Sequence, residues 1–157
     1  MKNHIILFLA FVLMVSCEQK PKEFLNVNAS VRQNDELSEN PLLMKPITSS
    51  IQPKNNTMST LYGNEIAFNY AKENSDSNYP KDAVLYEVTW KQKPDEVWLG
   101  GNVPKEIYSV EKIIFNENHL SVYEKYQGKP LKQVKINEEE GNSRKDFIIS
   151  QKMAVSP

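Results

Sequence analysis

Apolar and polar side chains alternate most regularly between residues 83 and 92. One face of this segment is strongly apolar and consists of Val84, Tyr86, Val88 and Trp90. The other face is mixed and consists of Leu85, Glu87, Thr89 and Lys91. Alternation with a period of two is typical of a strand with one buried face. The pattern therefore predicts a strand over 83–92, which ends before Pro94.

Two segments show a helical pattern instead. Asn64 is a suitable N-cap for a helix whose apolar face consists of Ile66, Ala67, Tyr70 and Ala71. The polar segment Asn74–Pro80 ends this helix. Near the C-terminus, Ser143–Asp146 fits a capping box in front of Phe147–Ile149, which predicts a final helix. The three consecutive apolar residues could equally form a strand.

Three more strands are predicted after the first one. They cover Ile107–Phe115, His119–Tyr126 and Leu131–Ile136, with short polar turns between them. Short strands joined by short turns favour an antiparallel meander. The expected fold class is α+β, mainly an antiparallel β-sheet with a few helices, preceded by a signal peptide and a flexible tether.

The N-terminus has the pattern of an export signal. Lys2 precedes the apolar run Ile5–Val15, which is shorter than the ~20 residues that span a bilayer. Ser16 and Cys17 follow, and MVSC looks like a lipobox, after which the cysteine is lipidated. We therefore expect residues 1–16 to be a lipoprotein signal peptide and the protein to lie in the bacterial cell envelope, facing the periplasm or the cell surface. The alternatives are a plain signal peptide and an uncut membrane anchor.

Residues 17–56 are expected to form a lipid-anchored flexible linker. This segment is rich in polar residues and proline and shows no sustained periodicity. As a flexible chain it would span ~35 Å. The alternative is that Leu42–Ile47 packs along the domain as an edge segment. The folded domain is expected to comprise residues 57–157.

Composition excludes several classes of site. The 157 residues carry a formal net charge of −1, which gives no electrostatic argument for binding nucleic acid. The single cysteine excludes an intrachain disulfide and a cluster of thiolate ligands, and two histidines do not make a site of several imidazoles. No nucleophile elbow or phosphate-binding loop is present. The sequence thus predicts neither a catalytic nor a metal site.

Glu87 and Lys91 are the polar candidates on the first predicted strand. They share its less apolar face and could meet a polar ligand if that face lined a cavity. If the face meets water, which the sequence favours, they are ordinary surface charges. The run Glu138–Glu140 is interpreted as a solvated face.

The segment Thr57–Phe115 resembles the cytochrome P-460 family. The blocks that carry the resemblance are TMSTLYGN (Thr57–Asn64), YPKDAVLYEVTWKQ (Tyr79–Gln92), the loop from Trp98 to Pro104, and SVE (Ser109–Glu111). The resemblance implies a β-rich antiparallel fold that is commonly dimeric. The best-known members bind c-type haem through a C-terminal C-x-x-C-H motif, and some oxidise hydroxylamine. This chain lacks the motif, so covalent haem attachment is excluded.

Three hypotheses follow. The first is a lipid-anchored, non-catalytic binding or interaction module without haem, which contacts the membrane through Cys17 and binds a small apolar ligand or an envelope protein. Its pocket would involve Tyr86, Trp90 and Trp98, with Glu87 and Lys91 as polar contacts. The second is a redox protein with non-covalent haem, for which His119 is the candidate ligand. The third is a structural envelope lipoprotein.

Overall fold

A six-stranded antiparallel sheet, in which each strand lies beside the next one in sequence, forms the centre of the protein. The computed structural model describes residues 26–117 and 120–154. The strands are β1 (Lys45–Gln52), β2 (Thr57–Gly63), β3 (Val84–Pro94), β4 (Asn102–Phe115), β5 (Ser121–Gln127) and β6 (Lys132–Val134). Helix α1 (Glu65–Glu73) follows β2, and helix α2 (Glu138–Ser150) follows β6. The predicted α+β class and antiparallel meander are confirmed.

The hairpin of β3 and β4 is the longest pairing in the sheet. Strand β4 begins five residues before the predicted Ile107, because the residues up to Asn102 still pair with the end of β3. The register shifts twice along the hairpin, and the first shift leaves Tyr108 outside the pairing. Pro104 lies beside the second shift, where a residue without a backbone N–H is tolerated.

Both helices begin at an asparagine cap. Asn64 Oδ1 accepts a hydrogen bond from the Ala67 amide at 2.9 Å, as the sequence predicts. The C-terminal helix is also confirmed, but its predicted start is wrong. It begins at Glu138, because Asn137 Oδ1 accepts from the Glu140 amide at 2.7 Å and three glutamates follow in the first turn. Carboxylates at this end are favoured by the helix dipole.

The two helices pack on one face of the sheet. The buried residues of this core are Ile47, Leu61, Ala67, Tyr79, Ala83, Leu85, Ile113, Phe115 and Ile148. At Gly63 an added Cβ would lie 2.9 Å from Ile47 Cδ1 and 3.0 Å from Ala67 Cβ. The missing side chain therefore lets helix α1 approach the sheet closely.

Residues 26–44 cover the opposite face of the sheet. The buried residues on this side are Tyr86, Val88, Trp90, Ile107, Val110, Tyr126 and Leu131. Side chains of the N-terminal segment pack against them, namely Ala29, Val31, Leu37, Leu42 and Met44. Two polar atoms of this core also bond to the segment: Trp90 Nε1 donates to the Ala29 carbonyl at 2.9 Å, and the Tyr86 hydroxyl donates to Glu39 at 3.0 Å.

This packing corrects the predicted linker. Residues 26–56 belong to the fold, and β1 pairs with β2 along its whole length as an edge strand. The alternative of an edge segment at Leu42–Ile47 comes closer to the structure. The apolar residues of the segment are too scattered for a core of their own, but they bury against the sheet. The domain thus begins at or before residue 26. Cys17, the predicted signal peptide 1–16 and residues 18–25 lie outside the described residues.

Candidate functional site

A cleft of about 510 Å³ opens on the face of the sheet that carries helix α2. Strands β2, β3 and β4 contribute a row of hydroxyl side chains to it, since Ser59 pairs with Thr89 and Thr89 pairs with Ser109. The other residues that line the cleft are Gln52, Asn55, Asn56, Thr57, Glu87, Lys91, Tyr108, Glu111, Lys125, Arg144 and Phe147. The same face is therefore apolar under the helices and polar in the cleft.

Two carboxylates and one guanidinium form an ion cluster in this cleft. Glu87 and Glu111 occupy directly opposite positions on β3 and β4 and are only 1% and 3% exposed. Arg144 of helix α2 bridges them. Its Nη2 donates to Glu87 Oε2 at 2.6 Å and to Glu111 Oε2 at 2.7 Å, and its Nε donates to Glu111 Oε1 at 2.9 Å. Like charges opposite each other destabilise a sheet, so the guanidinium is what permits this pair.

Neutral donors complete the cluster. Ser59 Oγ and Gln151 Nε2 donate to Glu87 Oε1 at 3.1 and 2.9 Å. The Tyr123 hydroxyl donates to Glu111 Oε1. Among residues 26–117 and 120–154, no buried side-chain nitrogen or oxygen lacks a partner. The two carboxylates therefore belong to a closed hydrogen-bond network.

The network determines the charge of its members. Burial alone would raise the pKa of Glu111, but the hydrogen bonds from Arg144 and Tyr123 outweigh it and lower that pKa below its ordinary value. Burial and the hydrogen bond to Glu111 raise the pKa of the Tyr123 hydroxyl. The hydrogen bond to Glu111 also raises the pKa of Arg144. At neutral pH Glu111 is thus ionised and Tyr123 is protonated.

Charged and aromatic side chains form the rim of the cleft. Lys91 Nζ pairs with Glu106 at 3.1 Å, and hydrogen bonds from Lys129 and Lys91 hold the pKa of Glu106 at about 2. On the helix side, the Arg144 guanidinium carbon lies 5.0 Å from the centroid of the Phe147 ring. This contact is a cation–π interaction. Tyr108, the residue left outside the pairing of β4, is an exposed part of the rim.

The structure separates the predicted pocket residues. Glu87 and Lys91 both line the cleft, but the favoured interpretation that Glu87 faces water is wrong, because it is buried. Tyr86 and Trp90 lie on the opposite face in the core under the N-terminal segment, so they do not form a pocket with Glu87. Trp98 is exposed in the loop between β3 and β4. His119 lies outside the described residues, and its role stays a prediction.

Sequence reasoning missed the residues that complete the cluster. The capping-box interpretation gives Arg144 no role in a site, and the sequence marks Glu111 only as part of a block that carries the family resemblance. One signal was available: on the helix-covered face, Glu87 follows Leu85 by two positions, and Glu111 precedes Ile113 by two. A carboxylate that interrupts an inward-facing row of apolar residues requires a buried partner.

The described residues do not fit a haem group. Haem is a large and mostly apolar ligand, whereas most of the side chains that line the cleft are charged or polar. The aromatic side chains Tyr86 and Trp90 are already buried by protein atoms.

Within the described ranges there is no group of three or more His, Cys, Asp or Glu side chains that could hold a metal ion. None of the helices formed by these residues has the length and apolar character needed to cross a membrane.

A comparison of the chain with protein-family models found no match, and a comparison with curated proteins found none either.

Proposed function

We propose that the protein is a non-catalytic binding module, held in the bacterial cell envelope by lipidation of Cys17, and that the polar cleft is its ligand site. The observation that carries the proposal is the ion cluster of Glu87, Glu111 and Arg144. A closed network of this kind fixes the shape and charge of the cleft before a ligand arrives. Such preorganisation lowers the entropic cost of binding.

The same cluster argues against acid–base chemistry. A general base needs a pKa near the operating pH and a free lone pair toward the substrate. Glu111 has a lowered pKa, and both of its oxygens accept hydrogen bonds from Arg144. Glu87 likewise accepts from Arg144, Ser59 and Gln151. The carboxylates therefore support the site instead of reacting in it.

The lining indicates a small anionic ligand that carries hydroxyl groups. Lys91, Lys125 and Arg144 bring three cationic groups to the cleft. Lys91 already pairs with Glu106, and Lys125 pairs with Glu140 at 3.4 Å, so the case for an anionic ligand rests on Arg144. The Arg144 side chain is 35% exposed, and its Nη1 makes no hydrogen bond to the part of the chain that the structure describes. Its remaining N–H groups suit a carboxylate. The serine, threonine, asparagine and glutamine side chains suit hydroxyl groups. The proposal thus replaces the apolar ligand expected from the sequence.

Calorimetric titration with glucuronate and with glucose tests this class, because the two probes share a ring and differ in the carboxylate. We expect glucuronate to bind and glucose to bind far more weakly. Lys91→Gln should weaken glucuronate binding about fivefold, since an exposed ion pair contributes up to ~1 kcal/mol. Lys72→Gln, at an exposed position of helix α1 outside the cleft, is the matched control. Equal binding of both probes, or no binding of either, would overturn the anionic ligand.

The envelope and haem parts of the proposal have separate tests. Cys17→Ala should release the protein from membranes or leave an unprocessed precursor. Continued membrane association of the processed variant would contradict lipid anchoring.

Protein purified from cells grown with haem should show no Soret band and no titratable haem binding. A near-stoichiometric Soret band that disappears in His119→Ala would instead support the haem protein related to the cytochrome P-460 family.

A further inference from the structure

The loop that joins β3 to β4 exposes three consecutive large apolar side chains. Val97, Trp98 and Leu99 are 83%, 73% and 107% exposed. Single exposed apolar residues are common on protein surfaces, but a contiguous group marks an interaction site. We call these three residues the hairpin tip.

The hairpin tip has a defined conformation. Asp95 Oδ1 accepts hydrogen bonds from the amides of Val97 and Trp98 at 2.7 and 3.1 Å. The Asp95 amide donates to the Gly101 carbonyl, and the Gly101 amide donates to the Trp98 carbonyl, both at 2.9 Å. Gly100 adopts a φ of +82°, which glycine accommodates without strain. The loop therefore projects its apolar side chains from a bonded turn.

The charges around the hairpin tip balance. Lys93 pairs with Glu96 at 3.5 Å, and the Asp95 carboxylate is engaged by the backbone of the turn. Lys105 is an exposed cation on the neighbouring strand. The hairpin tip thus exposes apolar surface without a strong excess of positive or negative charge around it. Its partner would be recognised by the hydrophobic effect, and the contact should depend little on salt.

The position of Asn26, the first residue that the structure describes, points to the partner. Asn26 Nδ2 donates to the carbonyls of Pro104 and Lys105 at 2.7 and 3.1 Å, on the strand that leads away from the tip. Cys17 lies nine positions before Asn26, a reach of at most about 30 Å. Trp98 lies six positions before Pro104, at most about 20 Å away. A lipid on Cys17 and the hairpin tip can therefore reach the same membrane surface.

We propose that the hairpin tip inserts into the interfacial region of the membrane that holds Cys17. The inference rests on the lipid anchoring in the proposed function. Tryptophan is favoured at the boundary between headgroups and acyl chains, and the flanking valine and leucine add buried apolar area. The tip and the lipid then hold the domain at two points, which fixes the orientation of the cleft relative to the membrane.

Tryptophan fluorescence of the full-length lipidated protein in phosphatidylcholine vesicles tests the insertion. Trp90 is buried in the core, so Trp98 is the tryptophan that can report contact with lipid. Bromine on the acyl chains quenches a tryptophan that enters the bilayer. We expect brominated vesicles to remove most of the Trp98 emission. The Trp98→Phe variant should retain its Trp90 emission in both kinds of vesicle. The double variant Val97→Ser, Leu99→Ser should lose most of the quenching.

Flotation of the same vesicles separates this inference from the anchor. Protein that floats with lipid but shows equal emission in brominated and ordinary vesicles would overturn insertion of the tip alone. Protein that does not float would overturn the anchoring and the inference together. A third outcome is that Trp98 is protected from aqueous acrylamide but is not quenched by brominated lipid. If this protection is lost when the protein is diluted in the bilayer, a second copy covers the tip, and the lipid contact is overturned.

Discussion

Glu87 and Glu111 face each other across neighbouring strands, both nearly inaccessible to solvent, and share the guanidinium of Arg144. Two buried carboxylates at paired positions repel each other, and the guanidinium that offsets this repulsion belongs to helix α2. The ion cluster therefore connects the sheet to the helix. The hydroxyl of Tyr123 and the amide of Gln151 add neutral donors from β5 and from the residue after the helix. The need to neutralise these two carboxylates thus determines how the strands and helix α2 are arranged around the cleft.

Replacing Arg144 with methionine should strongly destabilise the protein. The variant leaves two buried carboxylates without their cation, and we expect a loss on the order of 3 kcal/mol in the free energy of unfolding at pH 7. Urea denaturation measures it. Lys72→Met, which removes an exposed cation on α1, is the control and should change stability by less than about 0.5 kcal/mol. In a background with Glu87→Gln and Glu111→Gln, the same arginine change should cost less. An equal cost in both backgrounds would contradict the ion cluster.

Stability should fall in acid through the titration of Glu111. Its folded-state pKa lies below the ordinary value of 4.5, so the ionised group stabilises the fold above that pH. This contribution is lost as the pH falls from 4.5 through the lower folded-state pKa. The Glu111→Gln variant has no carboxylate to protonate at this position, so its stability should decline less between pH 5 and the acid limit. Urea unfolding at several pH values measures both curves, and parallel curves would contradict the lowered pKa.

Replacement by phenylalanine should destabilise the protein at Trp90 but not at Trp98. Trp90→Phe removes the indole that donates to the Ala29 carbonyl and fills the core under the N-terminal segment. We expect it to lower the free energy of unfolding by about 1–3 kcal/mol. Trp98→Phe changes an exposed loop side chain and should alter stability by less than about 0.5 kcal/mol. Thermal or urea unfolding measures both. Equal stability of the two variants would show that residues 26–44 do not pack on the sheet as described.

Patterns that are local in sequence were sufficient for several elements. The alternation around Tyr86 and Trp90 gave the central strand, and Asn64 followed by helical spacing gave helix α1. The short turns after β4 indicated a meander, which the sheet order confirms. In each case the signal lies within about ten residues, because a strand face or a helix cap depends on neighbouring side chains.

The remaining features depend on contacts between distant parts of the chain. Residues 26–44 lack periodicity, and their apolar side chains became a layer only because the sheet supplies a surface on which to bury them. The cleft requires strand register to place Glu87 opposite Glu111, and helix packing to bring Arg144 to both. The sequence by itself determined strands β3 to β6 and the presence of both helices, whereas β1 and β2 were not among the predicted strands. Tertiary structure decided which polar residues are buried together, because a buried charge is stable only beside a partner that the fold brings to it.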